Sequence, residues 1–308
     1  MNALLRIGVD VGGTNLRVGV VSGHQVLWEH RHSADFSNIC RSNPSAQALE
    51  KIIAELAAAV GQARAKYSEI ASVGIGFPGF INPVSGIVSL SPNLPGLSNI
   101  DIAAPLAKQL GIPVRIENDA LCAAYGEYLL AEPQPDSLIY LGLGTGVGGG
   151  LILNGKPYPG QHGVSMEVGH IIVQPGGRPC GCGNRGCLEQ YASASGVAIS
   201  YRELSGAVLD TERIAALAVQ GDPHALEALC CAAEMLAAAL AHIQKVIDVP
   251  RVVIGGGMVA AWPLLQARFE EYLDAALIPA LRGRIRVTLA KAGDQAGMLG
   301  AAALCELP

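Results

Sequence analysis

The chain has 308 residues, of which 50% are hydrophobic and only 5% aromatic, and its formal net charge is −5. This size predicts about two domains, and cores of small and branched side chains are typical of α/β proteins. The acidic balance and the lack of a dense Lys/Arg run exclude a nucleic-acid-binding footprint. The longest apolar stretch, 225–247, contains charged residues and is interpreted as a buried helix rather than a membrane span. With no signal-peptide pattern, we expect a cytoplasmic protein without a membrane partner, whose eight cysteines are reduced.

The first part of the chain predicts strands at 4–9, 16–21 and 25–31, a helix over 45–66 and a strand over 70–77. A helix over 102–110 follows, closed by Gly111, and then a strand over 114–117. The pair Asn118-Asp119 opens the next helix, which runs to about residue 130, because both residue types are good N-caps. Strands and helices therefore alternate, as in an α/β fold.

The second part begins with predicted strands at 137–143 and 147–153 around a glycine-rich turn. A long irregular segment, 157–186, is rich in Gly and Pro, and loops of this length are usually functional or tied to a ligand. After it we expect mostly helix to residue 248, a strand at 251–254, a helix over 262–280, a strand at 285–289 and a final helix over 295–304.

Two glycine-rich turns are candidate phosphate sites. Asp10 ends the first strand and is followed by Gly12, Gly13 and Thr14, and the turn Gly144-Thr145-Gly146 repeats this design. Glycines let backbone N–H groups converge on an anion, and a carboxylate can hold Mg²⁺. The alternative for each turn is an ordinary hairpin. Two such turns in opposite halves of the chain favour a pair of phosphate-binding hairpins.

The boundary of a strand and a helix carries Glu117-Asn118-Asp119. An Asp at this position is held rigidly and could accept the proton of an attacking hydroxyl group. For Asn118 or Asp119 taken alone, a helix cap is the more conservative interpretation. Both cannot be the cap residue, so one of them needs another purpose.

A Cys₃His set lies in the irregular segment, formed by His170, Cys180, Cys182 and Cys187. These four protein ligands match a tetrahedral structural zinc site, which leaves no open position for catalysis. A disulfide is disfavoured in a reducing compartment, and redox cysteines are the remaining alternative. The zinc is expected to fold the loop.

Glu167 and Glu189 flank this loop, and with Asn93 they would suit a polyhydroxylated ligand, because carboxylates accept hydrogen bonds from sugar hydroxyls. Solvent-exposed loop glutamates are the alternative and are slightly favoured by the sequence alone. The run Gly255–Gly257 either lets an adenine ring lie close to the backbone or forms a tight turn.

Several ordered motifs carry a resemblance over nearly the whole chain. They are Asp10-Val11-Gly12-Gly13-Thr14-Asn15, Gly76-Phe77-Pro78-Gly79, Ser91-Pro92-Asn93-Leu94-Pro95, Glu117-Asn118-Asp119, Gly144-Thr145-Gly146-Val147-Gly148-Gly149-Gly150, Glu167-Val168-Gly169-His170, Cys180-Gly181-Cys182-Gly183, Gly186-Cys187-Leu188-Glu189 and Gly255-Gly256-Gly257. The set resembles the ROK sugar kinases of the actin-like ATPase superfamily. Three positions depart from the common pattern. Met166 stands where Gly is frequent, and position 15 is Asn where Lys is also common. The C-terminal Asp-Ala-Gly stretch of the family reads Asp294-Gln295-Ala296-Gly297 here, with Gln295 as the extra residue.

The resemblance implies a two-lobed actin-like (ribonuclease H-like) α/β fold with a cleft. The lobes would be 1–118 with 296–308, and 119–295 with the zinc loop at 170–187. It implies ATP and Mg²⁺ as cofactors besides zinc. The residues implied to bind ATP and Mg²⁺ are Asp10, Gly12, Gly13, Thr14, Asn15, Gly144, Thr145, Gly146, Gly256 and Gly257.

The resemblance also implies that Asp119 is the catalytic base. The residues implied to contact the sugar are Asn93, Asn118, Asp119, Glu167, His170 and Glu189. The expected activity is hexose phosphorylation, with glucose first and an N-acetylhexosamine, allose or fructose as alternatives. A sugar-sensing repressor of the same family would need a DNA-binding module in front of the first strand, and a catalytically inactive sugar-binding protein would not need Asp119. A homodimer is expected from the apolar stretch 225–247 and from the resemblance.

Overall fold

The computed structural model describes residues 4–12 and 15–307. The chain forms two compact units. The first unit consists of Met1–Asp136, Gly150–Ser165 and Lys291–Pro308, and the second of Ser137–Gly149 and Met166–Ala290. The sequence placed the division after residue 118 and returned to the first lobe at 296. In the structure, 119–136, 150–165 and 291–295 also belong to the first unit.

The predicted strands and helices occur in the order expected from the sequence, with further short elements between them that the sequence did not predict. The strands are β1 (Leu5–Val11), β2 (Asn15–Ser22), β3 (Gln25–Ser33), β4 (Ile70–Phe77), β5 (Phe80–Ile81), β6 (Val88–Leu90), β7 (Ser98–Ile100), β8 (Val114–Asn118), β9 (Leu138–Leu143), β10 (Val147–Leu153), β11 (Lys156–Pro157), β12 (Arg251–Gly255) and β13 (Arg286–Leu289). The α-helices are α1 (Phe36–Ser42), α2 (Ser45–Lys66), α3 (Ala103–Leu110), α4 (Asp119–Leu129), α5 (Glu189–Ala192), α6 (Ala194–Ser205), α7 (Thr211–Val219), α8 (Pro223–Ile247), α9 (Trp262–Ala276) and α10 (Ala296–Leu304). Short 3₁₀-helices lie at Val168–His170, Gly257–Ala261 and Gly293–Gln295.

The first unit is built on a mixed sheet with the strand order β3-β2-β1-β4-β8. β1 to β3 form an antiparallel meander, while β4 pairs parallel with both β1 and β8. One face is covered by α2, whose Ile52, Leu56 and Val60 are fully buried in the core with strand residues. The carboxyl ends of β1, β4 and β8 therefore meet at one edge of this sheet, and this edge carries the polar motifs.

Glycines let α10 approach this sheet closely. A Cβ at Gly8 of β1 would lie 1.9 Å from the carbonyl oxygen of Met298, and one at Gly74 of β4 would lie 1.7 Å from that of Ala301. The contact between α10 and α4 is equally tight, since a Cβ at Gly300 would lie 1.8 Å from the oxygen of Cys122. Only glycine fits at these three positions, because any Cβ would overlap the neighbouring backbone.

The second unit contains the parallel strands β9, β12 and β13, within a sheet of order β11-β10-β9-β12-β13. Its longest helix is α8, which begins after the N-cap Asp222 and packs against α5, α6, α7 and α9. Among the described helices, α8 is long and apolar enough to cross a membrane, but 56% of its most apolar window is buried in the protein. This burial is what the sequence predicted for a core helix.

Most predicted elements are confirmed, with differences at their ends. The helix Ser45–Lys66 and the strand Ile70–Phe77 have the predicted bounds. Gly111 ends α3 in the left-handed conformation with φ 69°, as expected for a glycine after a helix. The helix predicted over 262–280 ends at Ala276, because Leu277 is already extended. The predicted irregular segment contains β11 and the 3₁₀-helix Val168–His170.

Candidate active site

The first glycine-rich turn joins β1 to β2. The amide of Gly12 donates a hydrogen bond of 2.9 Å to the carbonyl of Asn15, which closes the hairpin. Asp10 lies one residue before the end of β1, opposite Arg17 of β2. Gly13 and Thr14, both expected to bind phosphate, lie outside the described residues.

Asp10 lies in a partly buried, acidic environment. Burial and the negative charge of Asp119 raise the pKa of its carboxyl group from 3.8 to about 6, against a smaller opposing effect of Arg17. The backbone of α10 also approaches closely, since a Cβ at Gly297 would lie 2.7 Å from the carboxyl carbon of Asp10. Arg17 is held by Asp294, with 2.6 Å between its Nη2 and a carboxylate oxygen. A raised pKa in a carboxylate cluster is typical of functional sites.

Asn118, the last residue of β8, is the cap of α4. Its side-chain oxygen accepts a hydrogen bond of 3.0 Å from the amide of Leu121, and its side-chain nitrogen donates to the carbonyl of Gly79 at 3.1 Å. The cap is therefore Asn118, which answers the question that the sequence left open. Asp119 starts the helix and accepts a hydrogen bond of 2.8 Å from the amide of Ala120 on its Oδ1.

Asp119 lies where the sequence predicted a rigidly held carboxylate. Burial raises the pKa of its carboxyl group, although backbone hydrogen bonds oppose this effect. The nearby Glu117 has a pKa raised by burial as well. Asp10 and Asp119 thus lie in one electrostatically coupled cluster at the carboxyl edge of the first sheet. Asn93, a predicted sugar ligand, is exposed on the loop between β6 and β7.

The second glycine-rich turn joins β9 to β10 and closes in a similar way. The amide of Gly144 donates to the carbonyl of Gly146 at 3.0 Å. Two hydrogen bonds from the start of α6 also hold the turn. The amide of Ala194 donates to the carbonyl of Gly144 at 2.9 Å, and the hydroxyl of Ser195 donates to the carbonyl of Thr145 at 3.0 Å. The turn is therefore anchored by the segment that follows the cysteine-rich loop.

Gly256, directly after β12, packs against Leu143, the residue before the same turn. Its φ is 84°, and a Cβ there would lie 2.3 Å from the carbonyl oxygen of Leu143. Both facts require glycine. Gly257, by contrast, would have open space around an added Cβ. The close approach to Leu143 explains why position 256 is a glycine.

Glu189 contacts the second turn. Its Oε2 accepts a hydrogen bond of 3.2 Å from the amide of Val147, and a Cβ at Gly146 would lie 2.4 Å from the same oxygen. The sequence favoured a solvent-exposed loop glutamate. In the structure Glu189 begins α5, is partly buried, and has one oxygen committed to the turn.

The four predicted zinc ligands cluster in the second unit. One ligand atom from each of His170, Cys180, Cys182 and Cys187 lies within 4.8 Å of all the others. The Sγ atoms of Cys182 and Cys187 are 3.6 Å apart, and Cys180 Sγ is 3.7 Å from His170 Nδ1. A tetrahedral ion with Zn–S bonds of about 2.3 Å spaces its sulfur ligands about 3.8 Å apart. The donor set fits zinc.

His170 uses its two ring nitrogens differently. Nδ1 faces Cys180, while Nε2 lies 3.9 Å from a carboxylate oxygen of Glu167. The structure thus brings Glu167 and the zinc-ligand cluster together, as the sequence predicted. The Nε2 atom of His170, which does not face Cys180, is therefore directed towards the Glu167 carboxylate.

Three polar residues escaped the sequence interpretation. Arg178, in the cysteine-rich loop, donates a hydrogen bond to the hydroxyl of Ser200 in α6. Glu127 accepts hydrogen bonds from the amides of Lys291 and Ala292 at 2.8 and 2.9 Å. Arg17 carries the ion pair with Asp294. The usable signal for Glu127 was a charged residue within helix α4, whose remaining residues after Asp119 carry no charge.

The sequence model of the ROK family matches residues 6–307. The chain belongs to the ROK family. Among ROK family relatives, a glucokinase from Thermotoga maritima is 33% identical, covering 99% of this chain and 98% of its own. An N-acetyl-D-glucosamine kinase from Escherichia coli is 36% identical, and the match covers 96% of this chain and 98% of that protein. The crystal structure of a ROK family glucokinase from Streptomyces griseus, in complex with glucose and AMPPNP, matches this structure with a TM-score of 0.81 at 32% identity. The match covers 97% of this chain and 98% of that chain.

Proposed function

We propose that this protein is an ATP-dependent sugar kinase that transfers the γ-phosphoryl group to a hydroxyl of a hexose, with glucose as the first candidate. The observation that carries the proposal is the Asp119 carboxylate, fixed between β8 and α4 and coupled to Asp10, in a chain of the ROK family. Such a pair provides an acceptor for the hydroxyl proton and a carboxylate near the nucleotide phosphates.

In the proposed reaction, Asp119 takes the proton as the sugar oxygen forms a bond to the γ-phosphorus. The bond between that phosphorus and the bridging oxygen breaks, and ADP leaves. When bound, Mg²⁺ neutralises phosphate charge, and Asp10 is the carboxylate proposed to hold it. Backbone amides of the two glycine-rich turns supply further phosphate contacts. The residues proposed to bind nucleotide and Mg²⁺ remain Asp10, Gly12, Gly13, Thr14, Asn15, Gly144, Thr145, Gly146, Gly256 and Gly257.

The sugar contacts are proposed for Asn93, Asn118, Asp119, Glu167, His170 and Glu189. For Asn118 the proposal has to use the second hydrogen of its side-chain amide, because its oxygen caps α4 and its nitrogen already donates to Gly79. Zinc in the Cys₃His set has a structural role, since four protein ligands complete a tetrahedral site.

An N-acetylhexosamine is the second candidate substrate, favoured by the 36% identity to the Escherichia coli N-acetyl-D-glucosamine kinase. Allose and fructose are further alternatives. A coupled assay of ADP release over a panel of hexoses and N-acetylhexosamines tests the proposal. We expect one sugar to give sugar-dependent ADP release at least ten times the sugar-free rate. Release that no sugar in the panel stimulates would reject the kinase assignment.

We also propose a cytoplasmic homodimer. The argument from α8 is weaker than the sequence suggested, because α5, α6, α7 and α9 already cover much of its apolar surface. Leu226 and Val246 are the large apolar residues of α8 that stay exposed, at 39% and 84%. The proposal therefore rests mainly on the family. Light scattering at micromolar concentration tests it, and the mass of a single chain would reject a stable dimer.

A further inference from the structure

Glu127, on α4, is a buried carboxylate that has no part in the proposed reaction. The residue is only 4% exposed, and each of its carboxylate oxygens accepts one backbone hydrogen bond. Oε2 accepts from the amide of Lys291 at 2.8 Å, and Oε1 accepts from the amide of Ala292 at 2.9 Å. A carboxylate is costly to bury, and hydrogen bonds to a charged group are stronger than neutral ones. Because its partners are consecutive amides, Glu127 fixes the main chain at these two positions relative to α4.

The chain from 291 to 297, which we call the 291–297 segment, runs from these two amides into α10. It contains the 3₁₀-helix Gly293–Gln295, in which the amide of Gln295 donates to the carbonyl of Ala292 at 3.0 Å. Helix α4 also lies directly against the end of this segment, since a Cβ at Gly126 would lie 2.1 Å from the carbonyl oxygen of Ala296. The segment is therefore held on α4 by a carboxylate at its start and by close backbone packing near its end.

Asp10 contacts the same segment. A Cβ at Gly297 would lie 2.7 Å from the carboxyl carbon of Asp10, so the backbone of α10 borders that carboxylate. Arg17, which is paired with Asp10 in the register of β1 and β2, donates from Nη1 to the carbonyl of Asp294 at 2.8 Å. Its Nη2 lies 2.6 Å from the Asp294 carboxylate. A shift of the segment would thus move both a backbone contact of Asp10 and the cation opposite it in the sheet.

We propose that Glu127 is a positioning residue that holds the 291–297 segment on α4 and thereby sets the position of the Asp10 carboxylate relative to Asp119. Asp119 is the first residue of the same helix, so α4 carries both the proposed base and the side chain that holds the segment. The two carboxylates must keep their spacing, because a misplacement of about 1 Å costs about a hundredfold in rate. The inference rests on the proposed function, since it takes Asp10 as the carboxylate for Mg²⁺ and Asp119 as the base.

Glu127→Gln and a control variant test this role. Gln has nearly the same size, but its amide group has a single oxygen and its nitrogen would face a backbone N–H group, so one of the two hydrogen bonds is lost. For Glu127→Gln we expect the Mg²⁺ concentration at half-maximal activity to rise at least fivefold, with the KM for the sugar within twofold of wild type.

Arg64→Met is the matched control in the same unit. Arg64 also bonds to the main chain, donating from Nη1 to the carbonyl of Leu110 at 2.7 Å, but it joins α2 to α3, which carry no proposed site residue. Its loss should lower the thermal midpoint and leave the Mg²⁺ requirement and the KM for the sugar within twofold of wild type. A rise in the Mg²⁺ requirement as large as that of Glu127→Gln would indicate general destabilisation and overturn the inference.

Crystal structures of wild type and Glu127→Gln, both without nucleotide and Mg²⁺, provide a readout that does not depend on turnover. The distance between the carboxyl carbons of Asp10 and Asp119 should differ between them by at least about 0.5 Å, the tolerance of a productive site. An unchanged distance overturns the inference, and so does an unchanged Mg²⁺ requirement. If wild type phosphorylates no sugar while the distance changes, the proposed function fails and the positioning of Asp10 by Glu127 stands.

Discussion

The carboxylate of Glu189 accepts a hydrogen bond from the amide of Val147, the first residue after the Gly144–Gly146 turn, at a distance of 3.2 Å. Glu189 follows Cys187, a proposed zinc ligand, by two residues. One side chain therefore links the cysteine-rich loop to a turn proposed to bind phosphate.

This link predicts different effects for two substitutions of Glu189. Glu189→Ala removes the acceptor for Val147, so the turn loosens and the KM for ATP should rise about tenfold, the scale of one lost hydrogen bond to a charged group. Glu189→Gln keeps an acceptor oxygen and should leave the KM for ATP within threefold of wild type. Steady-state kinetics at saturating sugar measures both. Equal KM values for ATP in the alanine variant and wild type would contradict the link.

Asp119→Asn should keep the fold, because an amide oxygen can still accept from Ala120, but it removes the proton acceptor. We expect kcat to fall at least about a hundredfold, the usual scale for a general base. The KM for the sugar should change little, and the thermal midpoint at neutral pH should rise, because the substitution removes a carboxylate whose pKa burial raises. Turnover near the wild-type rate would leave Asp119 only a role in the first turn of α4.

The raised pKa of Asp10 predicts a dependence of stability on pH. Well below its ordinary pKa of 3.8 the carboxyl is protonated in both the folded and unfolded states, so it has no differential effect. Between its ordinary pKa of 3.8 and its folded pKa of about 6, the unfolded state loses the proton first, and stability falls as pH rises. Above pH 6 the full penalty, about 3 kcal/mol, is present.

Asp10→Asn removes this penalty. The variant should be more stable than wild type at pH 8, and the difference should shrink towards zero at pH 4. Urea unfolding at pH 4, 6 and 8 without Mg²⁺ or nucleotide measures it. A difference that does not change with pH would mean that Asp10 is not the titrating group.

Cys182→Ser should release zinc and lower the thermal midpoint, because metal binding and folding of the loop are one equilibrium. The motivation is the cluster of four ligand atoms within 4.8 Å. Cys230→Ser, outside the cluster on α8, is the control and should keep its zinc. Metal analysis of purified protein decides the point, and wild-type protein without zinc would refute the site.

Arg178 should stabilise the cysteine-rich loop independently of the metal. Its guanidinium donates to the carbonyl of Gln190 at 2.6 Å and to the hydroxyl of Ser200 at 3.0 Å, and it lies 4.5 Å from the centre of the Tyr191 ring. Arg178→Ala should lower the free energy of unfolding by roughly 3 kcal/mol, since it leaves partly buried acceptors without a donor. Arg185→Ala, at an exposed position of the same loop, should change it by less than about 0.5 kcal/mol. Equal stability of the two variants, measured by urea unfolding, would contradict this role.

The sequence by itself determined the order of the main elements, the two glycine-rich turns and the Cys₃His set. These signals are local: hydrophobic periodicity, glycine after a strand, and cysteine spacing each act over a few residues. The family resemblance follows from the same ordered motifs, and the family assignment confirms it.

Only the tertiary structure decided the contacts and the electrostatic environment of each group within those motifs. It made Asn118 the cap and left Asp119 with a raised pKa, because that shift depends on burial and on charges from other strands. It gave Glu189 a partner 42 residues away in the chain and Met166 a left-handed backbone. These properties arise from packing between segments distant in sequence, and close packing selects one geometry among the several that local propensity allows.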